Sequence, residues 1–164
     1  MNTVYLISDK VDAYDFVKNI LKQKYNIEEP EILRNSHGKP FFKDLNDFHF
    51  NISHSHVLQA VAIGNCEVGV DIEKIRKADL RVVKRFTQRE REYILEQDCD
   101  MRFFEVWTKK EAYLKYKGIG IKGGLDSFSV FGIPEKITDF TQDEYIISVC
   151  SNKEFKLEVH DEIQ

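Results

Sequence analysis

The chain lacks the covalent and membrane fastenings that many small proteins use. Its three cysteines, Cys66, Cys99 and Cys150, are scattered, odd in number and form no CxxC pair. That excludes a disulfide frame and a zinc–thiolate site, and it fits a reducing compartment. No run approaches the roughly 20 apolar residues of a membrane span. The opening MNTVYLISDK is too short in apolar residues before Asp9 to be a signal peptide. A soluble, cytoplasmic protein is expected. Positive charge is also short: 24 Lys and Arg against 28 Asp and Glu leave a net charge of −4, which excludes a general nucleic-acid binder. Proline is scarce, at three residues, while 42% of the chain is hydrophobic and 12% aromatic. A packed core is therefore expected rather than disorder.

The 164 residues suffice for one compact domain or two small lobes sharing a core. Thr3–Ser8 reads as a strand, and Val11–Tyr25 as an amphipathic helix with Phe16, Val17, Ile20, Leu21 and Tyr25 at helical spacing. Ser36–Pro40 is turn chemistry. Phe48–Ser53 and Val57–Ile63 read as strands joined by a polar link, His54–His56, and Glu67–Ile75 as a third. Asp79 predicts the cap of a short helix through Phe86. Thr87 and Glu90 match a capping box that starts another helix, through Glu96. A long helix follows over 100–117, stopped by Gly118. Four of the eight glycines lie between 118 and 124, which predicts a mobile or tightly turned loop. Strands are expected at 128–131, 145–150 and 155–159. The order predicts an α+β fold of two related lobes in a pseudo-twofold arrangement. Each lobe would be a small, mostly antiparallel sheet packed with helices, residues 1–65 forming one and 66–164 the other.

Three stretches could carry chemistry. In Val68–Lys74, VGVDIEK, strand alternation puts Asp71 and Glu73 on one face and Val70 and Ile72 on the other. The pair is either the wet face of an exposed strand or half of a hard-cation site of the kind Mg²⁺ takes. In the long helix, Trp107, Glu111 and Lys115 recur at four-residue spacing and share a face. Glu111 and Lys115 read either as a surface ion pair or as a third carboxylate with a phosphate-facing lysine. In Asn51–His56, NISHSH, Ser53 and His54 fall where a strand is expected to end, and exposed backbone N–H groups there can receive an anion. A zinc site on His54 and His56 lacks a third ligand at convincing spacing, and no G-x-S-x-G elbow supports a hydrolase. Residues 73–91 add eight Lys and Arg against Glu73, Asp79 and Glu90, a local excess suited to an acidic partner.

Together, G38-K-P40, F50-N-I-S-H-S55, G69-V-D-I-E73, W107-T-K-K-E111 with Lys115, and L125-D-S-F-S-V130 occur in the order found in a known family. The chain resembles the 4′-phosphopantetheinyl transferases, of the monomeric two-lobed type that activates surfactin synthetase. The resemblance runs from about Gly38 to Val130. It implies a Mg²⁺-dependent enzyme that moves the phosphopantetheine arm of coenzyme A onto a serine of an apo acyl or peptidyl carrier protein with an acidic surface, releasing adenosine 3′,5′-bisphosphate. It implies Asp71, Glu73 and Glu111 as metal ligands, with Glu111 and Lys115 as catalytic groups. Lys39, Pro40, Ser53, His54, Asp71, Lys110 and Lys115 would bind coenzyme A. The protein would act as a monomer, without nucleic acid or membrane. The alternative is a non-catalytic module of the same descent that binds coenzyme A or a carrier. The larger relatives hold the 3′-phosphate of coenzyme A partly through a Lys- and Arg-rich N-terminal segment. Here 37 residues precede Gly38, and Lys18, Lys22 and Lys24 do not align to that segment. Weaker discrimination against 3′-dephospho-coenzyme A is the corresponding expectation.

Overall fold

The computed structural model describes residues 2–120 and 124–160. It is a mixed α+β structure. In chain order the elements are β1 (Thr3–Ser8), α1 (Ala13–Tyr25), β2 (Ile32–Arg34), β3 (Pro40–Phe42), β4 (His49–Ser55), β5 (Leu58–Gly64), β6 (Val68–Lys74), α2 (Leu80–Val83), α3 (Gln88–Glu96), α4 (Cys99–Lys117), β7 (Lys136–Gln142), β8 (Tyr145–Ser151) and β9 (Lys156–Val159). Among the described residues no helix is long and apolar enough to cross a membrane.

The strands form a four-stranded sheet in the order β4-β5-β1-β9, a three-stranded sheet in the order β6-β8-β7, and the small hairpin β2-β3. All pairings are antiparallel except β1 with β9. The last strand therefore returns to the first sheet, beside the strand that begins the chain. Helix α1 starts where Asp12 accepts hydrogen bonds from the Tyr14 and Asp15 amides. It buries Phe16, Val17, Ile20 and Leu21 on the outer face of the first sheet, against Tyr5, Ile7, Val61 and Ile63. The opposite face of that sheet meets the second. Val4, Leu6, Ala60 and Ala62 pack with Val68, Val70, Ile72, Ile147 and Val149 in one apolar core.

Several local signals act as their chemistry requires. Thr87 and Glu90 close a reciprocal capping box at the start of α3, and Gly118, with φ of 66°, ends α4 in the left-handed region. Two expectations change. The β4 strand runs on to Ser55, so the turn to β5 is the two-residue link His56–Val57, with His56 at φ of 54°. The segment 128–131 is not a strand. Its backbone is held by buried charged side chains instead of a ladder: the Val130 amide donates to Glu90 at 2.9 Å, and the Phe128 carbonyl accepts from Lys110 at 2.6 Å. Of the glycine-rich stretch 118–124, residues 121–123 lie outside the described residues.

The packing of α4 on β6 sets the site. A Cβ on Gly69 would lie 2.0 Å from the Ala112 carbonyl oxygen and 2.2 Å from the Tyr116 nitrogen. Only a residue without a side chain admits helix backbone this close to the strand. On the same side of the sheet, Thr108 meets Ser148 at 2.7 Å and Ser148 donates to Asp139 at 2.8 Å. These hydroxyls lock the rotation of α4 and aim Glu111 and Lys115 along β6.

Candidate active site

Strands β4 and β6 lie edge to edge without a backbone ladder between them, and alternate side chains of β4 supply the joins. Asn51 accepts from the Val70 amide at 2.9 Å, Ser53 donates to Asp71 at 2.8 Å, and Ser55 donates to Glu73 at 3.1 Å and accepts from the Lys74 amide at 3.0 Å. The period-2 alternation of a strand turns all three inward. His54, between them, is exposed on the other face. Ser53 is thus a buried hydroxyl on Asp71, not a strand-end backbone group, and His54 is kept apart from it.

Lys115 completes this cluster from α4. Its ammonium lies 2.7 Å from Asp71 Oδ1 and 2.8 Å from Ser53 Oγ. Asp71 is nearly buried, and burial outweighs Lys115 and Ser53 in raising its carboxyl above the usual range. Glu111, one helical turn before Lys115, is pushed up to about 7, first by burial and then by the charges of Asp71 and Glu73, with Lys115 opposing. Two buried carboxylate oxygens here, Asp71 Oδ2 and Glu111 Oε1, have no hydrogen-bond partner among the described residues. Orphaned buried acceptors are costly, and they need a proton or a cation.

Glu73 is placed differently. Its Oε2 already accepts from Ser55 and from Arg76 at 2.9 Å. Among the described residues no group of three or more His, Cys, Asp or Glu is arranged to hold a metal ion. Among the described residues Asp71 and Glu111 thus each keep an unpartnered oxygen, while Glu73 is held by Arg76.

A cavity of about 300 Å³ opens beside the cluster. Glu111, Leu114 and Lys115 of α4 form one wall with Gly118 and Gly120 just after it; His37, Gly38, Lys39 and Pro40 form another; Tyr14, Arg34, Asn51 and Ile52 complete it. Lys39 and Pro40 are thus at the cavity as expected, but the Lys39 ammonium turns away to Glu67 at 2.6 Å. Lys110, also expected to face the ligand, does not reach it. Its ammonium is fully buried at 3.0 Å from Glu90. The reason is helical geometry: neighbouring residues project about 100° apart, so Lys110 cannot share the face of Glu111.

Tyr14, Arg34 and His37 went unread in the sequence. Arg34 donates to the Gly38 carbonyl at 2.8 Å and to the Tyr14 hydroxyl, with its guanidinium over the Tyr14 ring. Among the described residues it has no carboxylate partner, whereas Lys39 and Lys115 do. The signal was there in a basic residue four positions before the Gly38 turn, but a cavity wall is visible only after folding. Of the lysines of the first helix, Lys22 pairs with Glu28 and Lys24 donates to the Tyr5 hydroxyl.

Comparison with known proteins agrees with this site. A family model described as the 4'-phosphopantetheinyl transferase superfamily matches residues 67–159, which contain Asp71, Glu73, Glu111 and Lys115. The chain is 36% identical over 120 residues to 4'-phosphopantetheinyl transferase Sfp of Bacillus subtilis (strain 168), covering 70% of this chain and 54% of that protein. It is 40% identical over 119 residues to 4'-phosphopantetheinyl transferase gsp of Aneurinibacillus migulanus, covering 68% and 49%. It is 34% identical over 119 residues to 4'-phosphopantetheinyl transferase psf-1 of Bacillus pumilus, covering 69% and 51%. The chain spans about half the length of these curated relatives. With a match over more than half of its own residues that includes the buried acid–lysine cluster, the chain belongs to the 4'-phosphopantetheinyl transferase superfamily.

Proposed function

We propose that this protein transfers the 4′-phosphopantetheine group of coenzyme A to a serine of an apo acyl or peptidyl carrier protein. The serine oxygen forms a bond to the phosphorus that bears the pantetheine arm. The bond from that phosphorus to the bridging oxygen breaks, and adenosine 3′,5′-bisphosphate departs with the electron pair. The observation that carries this reading is the pair of unpartnered buried oxygens, Asp71 Oδ2 and Glu111 Oε1, beside a cavity that Glu111 and Lys115 line.

Each residue has a task that its surroundings support. Glu111, a carboxylate on the cavity wall, can accept the serine proton, directly or through a water. Lys115, held on Asp71 and Ser53, presents positive charge to the departing phosphate. Arg34 has donors left over after Gly38 and Tyr14, and a planar guanidinium suits a phosphate of coenzyme A. The residues fit Mg²⁺: Asp71 and Glu111 offer free carboxylate oxygens, the donors a hard cation prefers, with Glu73 adjacent. When bound, the ion would offset the repulsion among these carboxylates and the charge of the pyrophosphate.

An acidic carrier is the partner that the stretch 74–91 supports. Arg81, Lys84 and Arg85 are exposed, and Leu80 stands 53% exposed among them. We keep the division into lobes 1–65 and 66–164, with β9 of the second pairing back into the sheet of the first, the monomeric state and the cytoplasmic setting as parts of this proposal.

Mass spectrometry of an apo carrier incubated with the protein, coenzyme A and Mg²⁺ tests it. The expected result is a gain of one phosphopantetheine group on the carrier serine. Coenzyme A binding without any gain across several carriers would instead identify the non-catalytic binding module.

A further inference from the structure

The turn that forms one wall of the cavity is built by Asn35. Its side-chain oxygen accepts from the amides of His37 and Lys39, both at 2.9 Å, and its backbone amide donates to the Lys39 carbonyl at 2.9 Å. Gly38 completes the turn at φ of 86°. The same residues then reach across to the C-terminal end of α4. Asn35 donates its side-chain amide to the Gly118 carbonyl at 3.3 Å, and Lys39 donates to the Tyr116 carbonyl at 3.0 Å. The last carbonyls of a helix have no partner within it, and a cation there is favoured by the helix dipole. Glu67, at the entry to β6, fixes the ammonium from the other side at 2.6 Å and also meets His49 at 3.0 Å. A side chain on Gly118 would press on this clamp, with its Cβ 3.1 Å from the Asn35 amide nitrogen and 3.3 Å from Lys39 Cδ.

We propose that Lys39 is a positioning residue of the cavity and not a contact of its ligand, and that Asn35 and Glu67 act with it as a clamp. The clamp joins the turn wall to the helix that carries Glu111 and Lys115, so it sets the width of the cavity between them. All the positive charge that Lys39 brings is committed: a carboxylate and a helix terminus already hold it, and little of the side chain is exposed. Glu67 thereby gains a role that its charge alone would oppose, since a bare carboxylate near a phosphate ligand is unfavourable.

This inference uses coenzyme A as the ligand and so rests on the proposed function for its binding arm. That arm compares Lys39→Met, Glu67→Gln and the double variant by calorimetric titration with coenzyme A, with melting temperatures recorded alongside. A clamp predicts that both single variants weaken binding, each by about tenfold, the scale of one charge-assisted hydrogen bond. The double variant should be no weaker than Lys39→Met alone. If Glu67→Gln instead leaves affinity unchanged or tightens it while Lys39→Met weakens it, the ammonium touches the ligand and the clamp is wrong. A second arm needs no ligand. Hydrogen exchange in Lys39→Met should quicken together in residues 35–40 and in the last turn of α4, and stay unchanged in β8. Unchanged exchange at the end of α4 overturns the clamp even if the variant binds poorly. If the native chain binds no coenzyme A, the proposed function fails, and the exchange arm still decides the clamp.

Discussion

Two of the lysine–carboxylate pairs on helix α4 lie five residues apart and are opposites. The Lys110–Glu90 pair is fully hidden, with 0% exposure on both side chains. Lys110 also donates to the carbonyls of Leu125 and Phe128, and it lies over the rings of Phe86 and Phe128. Glu90 accepts from the amide and hydroxyl of Thr87 and from the Val130 amide. Nothing is left over. The Lys115–Asp71 pair is 29% and 7% exposed, opens toward the cavity, and leaves Asp71 Oδ2 without a partner among the described residues. A saturated buried pair is a piece of architecture. A buried pair with spare valence is a receptor for charge that has yet to arrive.

The contrast can be broken first at the saturated pair. Lys110→Met strands Glu90 in the core, and we expect a loss of about 3–5 kcal/mol in stability, measured by denaturant unfolding. Adding Glu90→Gln should restore part of it, because the amide needs no countercharge. Turnover per folded molecule should hardly change in either. Lys115→Met should do the reverse: turnover falls by about 100-fold, the scale of removing one transition-state donor, while the unfolding midpoint falls less than in Lys110→Met, because this pair is partly open to the cavity and Asp71 can take up a proton. Equal loss of stability in the two methionine variants would erase the distinction.

Glu111 sharpens the same point through pH. Its carboxyl is raised from an ordinary 4.5 to about 7, so the folded protein binds the proton more tightly than the unfolded chain. The contribution to stability is complete below about pH 4.5 and is lost as pH rises through about 7. In metal-free protein, Glu111→Gln should therefore gain stability relative to the native chain as pH climbs through that window. A difference that stays flat from pH 4 to 8 would contradict the buried, unpartnered oxygen.

The smallest effect belongs to a third pair, Arg81–Asp79, in which Arg81 is 88% exposed. Replacing Arg81 and Arg85 with Glu should leave coenzyme A binding and thermal stability unchanged, and should slow carrier association, because surface charge acts mainly on encounter rate. Stopped-flow association at two salt concentrations checks this. Loss of coenzyme A binding in that variant would move the basic stretch into the cavity instead.

How far the sequence could be read follows the range of each signal. The Thr87 capping box, the Gly118 stop and the span of β1 are local, and each is found where local chemistry put it. The three-residue strands β2 and β3 and the longer β7 give little signal in the sequence, because so short a strand and the polar run KITDFTQ carry little apolar alternation. Asp71, Glu111 and Lys115 were legible from spacing along one strand and one helix. Lys110 was drawn into the ligand set by its place in a motif, although helical periodicity already turned it to another face. Ser53 was misjudged because two more residues belong to β4 than its apolar content suggests. Arg34 offered only a basic residue ahead of the Gly38 turn and Tyr14 offered no signal, since both reach the cavity of the acid cluster only through packing.

One glycine carries a warning for anyone who sets out to make this protein tougher. A glycine inside a strand is the first position an engineer would fill, to recover strand propensity and to reduce the freedom of the unfolded chain. At Gly69 that remedy would act as a spacer. The smallest possible addition would have to push α4 outward along its inner turn, carrying Glu111 and Lys115 away from Asp71 and loosening the hydroxyl chain through Thr108. Gains in robustness should be sought on surfaces such as α1 and β7, because at this contact empty space is a dimension of the site itself.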